Sequence, residues 1–282
     1  MAQIIDGKKI STQIKDEVKE QVAVLKQKGI DVTLAVIQVG KDPASTVYVG
    51  NKKKACEYVG IRSLAYELPE ETSEQELLEL VRSLNAKEDV DGILVQLPLP
   101  KHIDEDKVIR TISPDKDVDG FHPQSVGAMT IGEPGFLSCT PAGIIQLLKR
   151  SGITIDGKEC VIIGRSNIVG KPMGMLLLRE NGTVTICHSH TPDLKTVAKR
   201  ADILVVAIGK AKFVDASYVK DGAAVIDVGM DRDENGKLCG DVDFASVEPV
   251  AGAITPVPGG VGPMTIAMLM NNCVESAQRK HC

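Results

Sequence analysis

The chain has 282 residues, 43% of them hydrophobic and 25% charged, with a formal net charge of -5. That length accommodates two domains of ordinary size, each able to bury a core, and excludes a fibre or a disordered tail. With no tryptophan, 3% aromatic residues and an acidic balance, little is available for gripping phosphodiester backbones or stacking bases, so no nucleic acid partner is expected.

The opening "MAQIIDGKKISTQIKDEV" turns polar after five residues, so it lacks the apolar core of a signal peptide. No later apolar run reaches the roughly 20 residues that span a bilayer, and no membrane partner is expected. The 7 cysteines are scattered along the chain and odd in number, which fits reduced thiols better than a disulfide framework or a zinc knuckle. A cytoplasmic location is the expectation. "NGT" at Asn181 reads there as a turn between a helix and a strand.

Apolar strands alternate with helical patterns in two runs, which predicts parallel sheets with helices on their faces. The first run has a helix near residues 8 to 28 stopped by Gly29, the strand "TLAVIQV", and a helix from about Ala44 to Val59 stopped by Gly60. The strand "RSLAYEL" follows, then a helix that Thr72 or Ser73 could cap, then the strand "GILVQL". The second run begins after the turn-rich "FHPQSVGAMTIGEPGF" with "TPAGIIQLLKRSG", where Thr140 is expected as N-cap, Pro141 at the first helical position and Gly152 beyond the end. "CVIIG", "TVTIC", "ILVVAIG" and "AAVIDVG" then read as four short buried strands, a nucleotide-binding sheet in outline. No repeat or low-complexity linker marks the domain boundary, which the change of element rhythm puts near residues 118 to 125. An amphipathic helix begun by Pro263 closes the chain, long enough to run back toward the first domain.

Within the second run, "VIIGRSNIVGKP" departs from the usual Gly-x-Gly-x-x-Gly turn: Gly164 follows the strand, Ser166 stands at the second glycine, and Gly170 arrives one residue late. Any strand-to-helix turn can hold a glycine or two. Its place before a helix N-terminus nevertheless suits an anion such as pyrophosphate, and the Ser166 hydroxyl could donate to it. About 20 residues on, where an NAD site usually carries an acid for the ribose hydroxyl, the chain has "CHSHT". Arg165 and Ser189 could instead bind a 2′-phosphate, so the site reads as one for NADP. Cys187, His188 and His190 do not make a metal site, because neighbours at a strand end point to opposite faces.

In "ASTVYVGNKKKA", Ser45, Tyr48 and Lys52 fall on one helix face, with Lys53 and Lys54 turned about 100° and 200° from Lys52. A tyrosine packed on a lysine stem at a surface would give the same pattern. Gln96 in "VQLPLP" stands at the C-terminal end of a strand, the edge where open α/β sheets bind ligands. "DKDVDGFHP" mimics a calcium loop with Asp115, Asp117 and Asp119, but its twelfth position is Val126 where a bidentate glutamate is required. Asp119 reads as an acceptor for a ligand or as a turn residue beside Gly120. "TPVPGGVGPMT" is either a stiff turn or a place where backbone approaches a ligand closely.

In this order and spacing, "YVGNKKKA", "VQLPLP", "KDVDGF", "GRSNIVGKPM" and "TPVPGGVGPMT" closely resemble the bifunctional methylenetetrahydrofolate dehydrogenase/cyclohydrolase family over essentially the whole chain. The catalytic positions show no departure, and Met230 stands in "DVGM" where the family more often has isoleucine, a volume-conserving change. A short-chain dehydrogenase would place the nucleotide turn before its Tyr-x-x-x-Lys pair. A nucleotide-sensing module without turnover would lack Lys52, Gln96 or Asp119.

The resemblance implies two α/β domains with a cleft between them, in a homodimer. Residues 1–120, joined by the C-terminal helix 264–282, would be the folate-binding catalytic domain, and 121–263 a Rossmann-like NADP domain. Methylenetetrahydrofolate would be oxidised to the methenyl form with hydride passing to NADP, and that product hydrolysed to formyltetrahydrofolate, in the one-carbon metabolism that serves purine biosynthesis. Tyr48 would position the pterin and Asp119 would anchor its N–H donors. Lys52, its pKa lowered by burial, would move the proton in ring opening while Gln96 holds its amine. Gly259, Gly260 and Pro263 would complete the folate site, and Gly164, Arg165, Ser166, Ser189 and Met230 the NADP site.

Overall fold

The computed structural model describes residues 1–281; Cys282, last of the cysteines, lies outside the described residues, as does the side chain of Ala44. The chain opens with β1 (Gln3–Ile4) and α1 (Gly7–Gln27), whose Ile10, Ile14, Val18, Val22 and Leu25 form a buried stripe at helical spacing. Gly29, at φ 77°, lets the chain leave that helix. Next come β2 (Thr33–Val39), α2 (Pro43–Val59), β3 (Arg62–Leu68), α3 (Glu74–Asn85) and β4 (Gly92–Val95). Asp42 caps α2 by accepting from Ser45 N at 2.8 Å, and Gly60 ends it in the left-handed region. Ser73, rather than Thr72, caps α3 in a reciprocal box with Glu76.

Two short helices follow, α4 (Glu105–Thr111) and α5 (Pro123–Ile131), then α6 (Cys139–Arg150). Thr140 is not the cap of α6. It lies inside the first turn with its hydroxyl bonded to that of Thr265 at 2.9 Å, and Pro141 is accommodated because first-turn amides need no partner within the helix. The four apolar runs fold as β5 (Glu159–Ile163), β6 (Thr183–Cys187), β7 (Ile203–Val206) and β8 (Ala224–Asp227), with α7 (Gly170–Arg179) and α8 (Leu194–Ala198) between them. A small hairpin of β9 (Asp231–Arg232) and β10 (Leu238–Cys239), then α9 (Phe244–Val247), β11 (Ala253–Ile254) and α10 (Val261–His281) complete the chain. The last helix thus begins two residues before Pro263.

Two compact units result. One comprises Thr12–Cys139 with the chain from Ile266 onward; the other comprises Met1–Ser11 and Thr140–Thr265. The partition therefore falls after Cys139 rather than after residue 120, and the first eleven residues go with the later unit because β1 pairs with β11.

In the unit of residues 12–139, a parallel sheet has the order β3-β2-β4. All seven residues of β2 and all four of β4 are buried, as expected for apolar strands covered on both faces. In the other unit a six-stranded parallel sheet runs β1-β11-β8-β7-β5-β6. The chain goes from β5 to one neighbour, β6, and crosses back to the other, β7. Beyond the carboxyl ends of β5 and β7 the order therefore reverses, the usual place for a nucleotide.

The later part of α10 is tied to residues 12–139 by polar side chains as well as apolar ones. Ser276 Oγ donates to Asp91 O at 2.6 Å, and Asn272 Nδ2 donates to Val118 O at 2.9 Å and Leu137 O at 3.0 Å. The buried Asp91 carboxylate accepts from Thr33 N at 2.8 Å and faces Lys280 Nζ at 3.5 Å. Asp91→Ala strands that amide and removes the helix's counter-charge. Its expected cost is about 2 kcal/mol, the range for an unsatisfied buried donor, read as a lower denaturant midpoint at unchanged slope.

Candidate active site and nucleotide turn

Helix α2 presents two faces. Ser45 and Lys52 are buried, Tyr48 is half-buried, and Lys53 and Lys54 are exposed, so the lysine triplet is not one basic patch. Lys52 is only 6% exposed. Its Nζ donates to Gln96 Oε1 at 2.9 Å, and Gln96 Nε2 donates to Leu97 O at 2.7 Å. That second bond fixes the amide so that its oxygen, not its nitrogen, meets the amine. Gln96 sits just past β4, its N–H bonded to Ile37 O at 2.8 Å, which places it at the carboxyl edge of the sheet beside the central strand.

Burial pulls the Lys52 ammonium below the ordinary lysine range, against the attraction of Asp119 and smaller effects of Cys139 and Cys56. Asp119 is itself pushed upward by burial, opposed by Lys52 and a hydrogen bond with Cys139. The Tyr48 phenol is raised by burial and stays un-ionised near neutrality. The adjacent thiols cannot act as nucleophiles. Burial holds Cys56 at about 12 and Cys139 well above the ordinary thiol value.

Asp119 depends on a neighbour that its sequence context did not single out. Asp117, buried, accepts from Phe121 N at 3.2 Å, His122 N at 2.8 Å and Ser125 Oγ at 2.7 Å. It closes the turn that carries Asp119, and burial lifts its carboxyl to about 6. Gly120 sits at φ 73°, and a Cβ there would lie 2.6 Å from Ser138 N, so no side chain fits. Asn272, which supports the same turn through Val118 O, was also missed: nothing in "MNNCVESAQ" distinguishes a buried asparagine from an exposed one.

In the other unit, Gly164 has φ 132° and a Cβ on it would stand 2.2 Å from Ala207 O; one on Gly170 would stand 2.3 Å from Gly164 O. These two glycines are therefore required by close backbone approach. Ser166 Oγ accepts from Val169 N and Gly170 N, both at 3.2 Å. With its acceptor positions taken by two amides, its own O–H is left able to donate to an anion. Residues 165–168 are exposed. Arg165 and Ser189 each stand two residues beyond paired strand ends, Ile163 opposite Cys187, and both are exposed. No acidic residue occupies 183–192. The turn, with its close-packed glycines before a helix N-terminus and an exposed hydroxyl, fits a dinucleotide diphosphate.

His188 Nδ1 accepts from His190 N at 3.1 Å, so this ring nitrogen serves the loop. Among the described residues no group of three or more His, Cys, Asp or Glu could hold a metal ion. Met230 is 46% exposed, three residues past β8 at the same sheet edge. Gly259 and Gly260 belong to this unit as well. Gly259 O accepts from Lys8 N at 3.1 Å, and a Cβ on Gly260 would lie 2.6 Å from Pro256 O. Pro263 lies in the first turn of α10. The expected site residues thus divide between the units: Tyr48, Lys52, Gln96 and Asp119 in one, the remainder in the other.

Comparison with known proteins identifies both parts of the chain. Residues 5–119 match the catalytic domain of tetrahydrofolate dehydrogenase/cyclohydrolase, and residues 138–281 match its NAD(P)-binding domain. The chain is 75% identical over 279 residues to the "Bifunctional protein FolD" of Agathobacter rectalis, covering 99% of this chain and 100% of that one. It is 74% identical to the Lachnoclostridium phytofermentans protein of the same name, over 99% of each. Among solved structures, the bifunctional FolD enzyme of Campylobacter jejuni superposes with a TM-score of 0.97 at 51% identity, covering 99% of both chains. The Trypanosoma brucei dehydrogenase-cyclohydrolase, complexed with NADP and an inhibitor, gives 0.94 at 40% identity, over 99% of this chain and 98% of that one. With both of its domains matched and its relatives aligned end to end, the chain belongs to the tetrahydrofolate dehydrogenase/cyclohydrolase family.

Proposed function

We propose that a single buried amine, Lys52, carries the proton in the hydrolytic half of this enzyme's work. The enzyme oxidises 5,10-methylenetetrahydrofolate to the methenyl form and hydrolyses that product to 10-formyltetrahydrofolate, with NADP as cofactor. NADP, when bound, supplies the hydride acceptor. The observation that carries the reading is the burial of Lys52 against Gln96 Oε1 beside Asp119.

Hydride transfer asks the protein chiefly for placement. Tyr48, half-buried on the Lys52 face, offers a flat apolar surface for the pterin. Asp119 offers a carboxylate to its N–H donors; a ligand bound there also replaces lost solvent. Ring opening needs more, since water must lose a proton and a ring nitrogen must gain one. A desolvated lysine is neutral more often than an exposed one, and its lone pair can take the proton from water and pass it to the leaving nitrogen. Gln96 accepts one N–H and so turns that lone pair away from itself. Gly259, Gly260 and Pro263 lend backbone to the folate site. Arg165 and Ser189 take the 2′-phosphate, Gly164 and Ser166 the diphosphate, and Met230 packs on the cofactor.

Folate chemistry is assigned to the unit of residues 12–139 with the chain from Ile266 onward, and NADP binding to the unit of residues 1–11 and 140–265. The enzyme is taken to be a cytoplasmic homodimer acting on small molecules, with neither nucleic acid nor membrane as partner. No helix among the described residues is long and apolar enough to cross a membrane. Sedimentation at micromolar concentration tests the dimer.

Lys52→Met keeps the stem and removes the amine. Methenyltetrahydrofolate hydrolysis is expected to fall by about 10²- to 10⁴-fold while part of the NADP reduction persists, so methenyl product accumulates. Hydrolysis at the parent rate would end the proposal for Lys52. Lys52→Arg keeps the charge but cannot deprotonate, and should be as slow as Lys52→Met if the amine acts as a base.

The lowered ammonium also sets a pH dependence. Hydrolysis should rise with pH along a limb centred below the ordinary lysine value of 10.5; a limb at that value or no limb would show that the neutral amine is not used. Arg165→Ala should weaken NADP roughly tenfold or more, the scale of a charge-assisted hydrogen bond, with NAD nearly unchanged in the same titration.

A further inference from the structure

Three aspartates of the nucleotide unit meet at the carboxyl edge of its sheet, outside the roles given above. Asp227 ends β8, Asp231 begins β9, and Asp241 follows β10, which pairs Cys239 with Asp231. Asp241 is 0% exposed; its Oδ2 accepts from Ile208 N at 2.8 Å and its Oδ1 from Lys210 N at 2.6 Å. Asp227 accepts from Gly229 N and Asp241 N, both at 2.9 Å, and from Val242 N at 3.0 Å. The packing is built around these carboxyls. A Cβ on Gly240 would lie 1.9 Å from Asp227 Oδ2, and one on Gly229 would lie 2.6 Å from Asp241 Cγ.

One atom does not fit an all-ionised cluster. Asp231 Oδ2 is buried with no N–H or O–H of the described residues donating to it, and the carboxyl beside it is that of Asp241, whose oxygens already accept backbone amides. Two ionised carboxylates cannot satisfy each other, but a proton on Asp231 Oδ2 makes it a donor and removes the orphan.

The segments so joined matter for the cofactor. Ala207, the first residue after β7, lies so close to Gly164 that only glycine fits there. With the diphosphate at that turn and the adenosine side toward Ser189, the other half of the dinucleotide passes over the ends of β7 and β8. Residues 207–210 and 228–231 are those ends.

We propose that Asp241, Asp227 and Asp231 are positioning residues for the cofactor: a proton held between Asp231 and Asp241 locks the loop after β7 to the segment after β8, and its loss at higher pH loosens the site. This rests on reading residues 161–230 as the NADP site. Burial, followed by the charge of Asp241, raises the Asp231 carboxyl, and burial lifts Asp227 to about 7. The sign follows: ordering is complete below the ordinary value of 3.8 and is lost as pH climbs through the raised value of Asp231. Other charged or titratable groups around the cluster are Lys212, 3.7 Å from Asp233, together with Asp233, Asp243 and the Cys239 thiol, which burial raises. Lys210 lies over the Phe213 ring at 5.6 Å.

The test uses the full-length protein at about pH 5.5 and about pH 8.5, which bracket a raised carboxyl. Amide hydrogen exchange of peptides covering 207–212 and 228–232, corrected for the intrinsic pH effect, should show roughly fivefold less protection at the higher pH. NADP affinity by calorimetry should weaken by a similar factor. Asp231→Asn places a permanent N–H where the proton sits, so its protection and affinity should be nearly constant across the range. The cofactor's own phosphate titrates equally with both proteins and cancels in the comparison. Asp241→Asn, which turns an amide nitrogen toward a backbone donor, should lose protection at both pH values. A parent protein with pH-independent protection, or an Asp231→Asn variant that follows the parent, would overturn the proposal. Should Asp231→Asn fail to fold, the assigned ¹³C carboxyl resonance of Asp231 in the parent decides: a transition at the ordinary aspartate value rejects the shared proton, and one well above it supports it. Exchange and carboxyl titration need no cofactor, so absence of NADP binding would fault the functional reading and leave this test intact.

Discussion

An ammonium group removed from water must be compensated or must lose its proton, and the catalytic unit is organised around that constraint at Lys52. Compensation is deliberately incomplete: one neutral acceptor from Gln96 and the charge of Asp119, itself raised by burial. Full pairing would hold the lysine charged and, on the reading proposed above, useless as a base. No pairing would leave an amine without orientation. Holding this balance requires three elements to keep fixed positions: α2 for the amine, the end of β4 for its acceptor, and the turn at 117–120 for the carboxylate. Each has its own fastening, in the Asp42 cap, the Ile37 carbonyl and the buried Asp117.

The nucleotide unit meets the opposite demand, since its ligand brings the negative charge. Its turn offers amides, a hydroxyl and an exposed arginine, and no acid stands in residues 183–192. Asp227 and Asp241, at the sheet edge, are turned inward onto backbone amides, where they shape loops. Glycines mark both kinds of surface. Gly164 and Gly170 are excluded from carrying side chains by backbone, Gly240 by the Asp227 carboxyl, and Gly229 by the backbone nitrogen and carboxyl of Asp241 together.

Much of this was legible from the chain alone because the signals are local. β2 and β3 fall on "TLAVIQV" and "RSLAYEL", and Gly29 and Gly60 end their helices, since hydrophobic period and left-handed glycine act within a few residues. The face shared by Ser45, Tyr48 and Lys52 follows from helical geometry, while the Gln96 contact needs the fold: its partner is 44 residues away. What escaped depends on distant partners. Thr140 has the sequence of a cap but bonds to Thr265. β1 and β11 are two residues each and carry no period of their own, yet their pairing moves the first eleven residues into the other unit. Asp117 and Asp119 are equivalent in "DKDVDG"; only tertiary structure separates the one that builds the turn from the one it displays.

Neither unit is a continuous stretch of chain, and this bears on how the protein is made. A ribosome releases residues 12–139 long before the helix from Ile266 onward that supplies Asn272 and Ser276 to them. At roughly 5–20 residues per second, that interval lasts several seconds or more. Throughout it, the carbonyls of Val118 and Asp91 and the apolar surface that α10 covers must wait. The nascent amino-terminal strand waits likewise for β11. Synthesis therefore completes both units almost together, at the end, and the usual order in which an early domain folds before a later one emerges is unavailable to this chain.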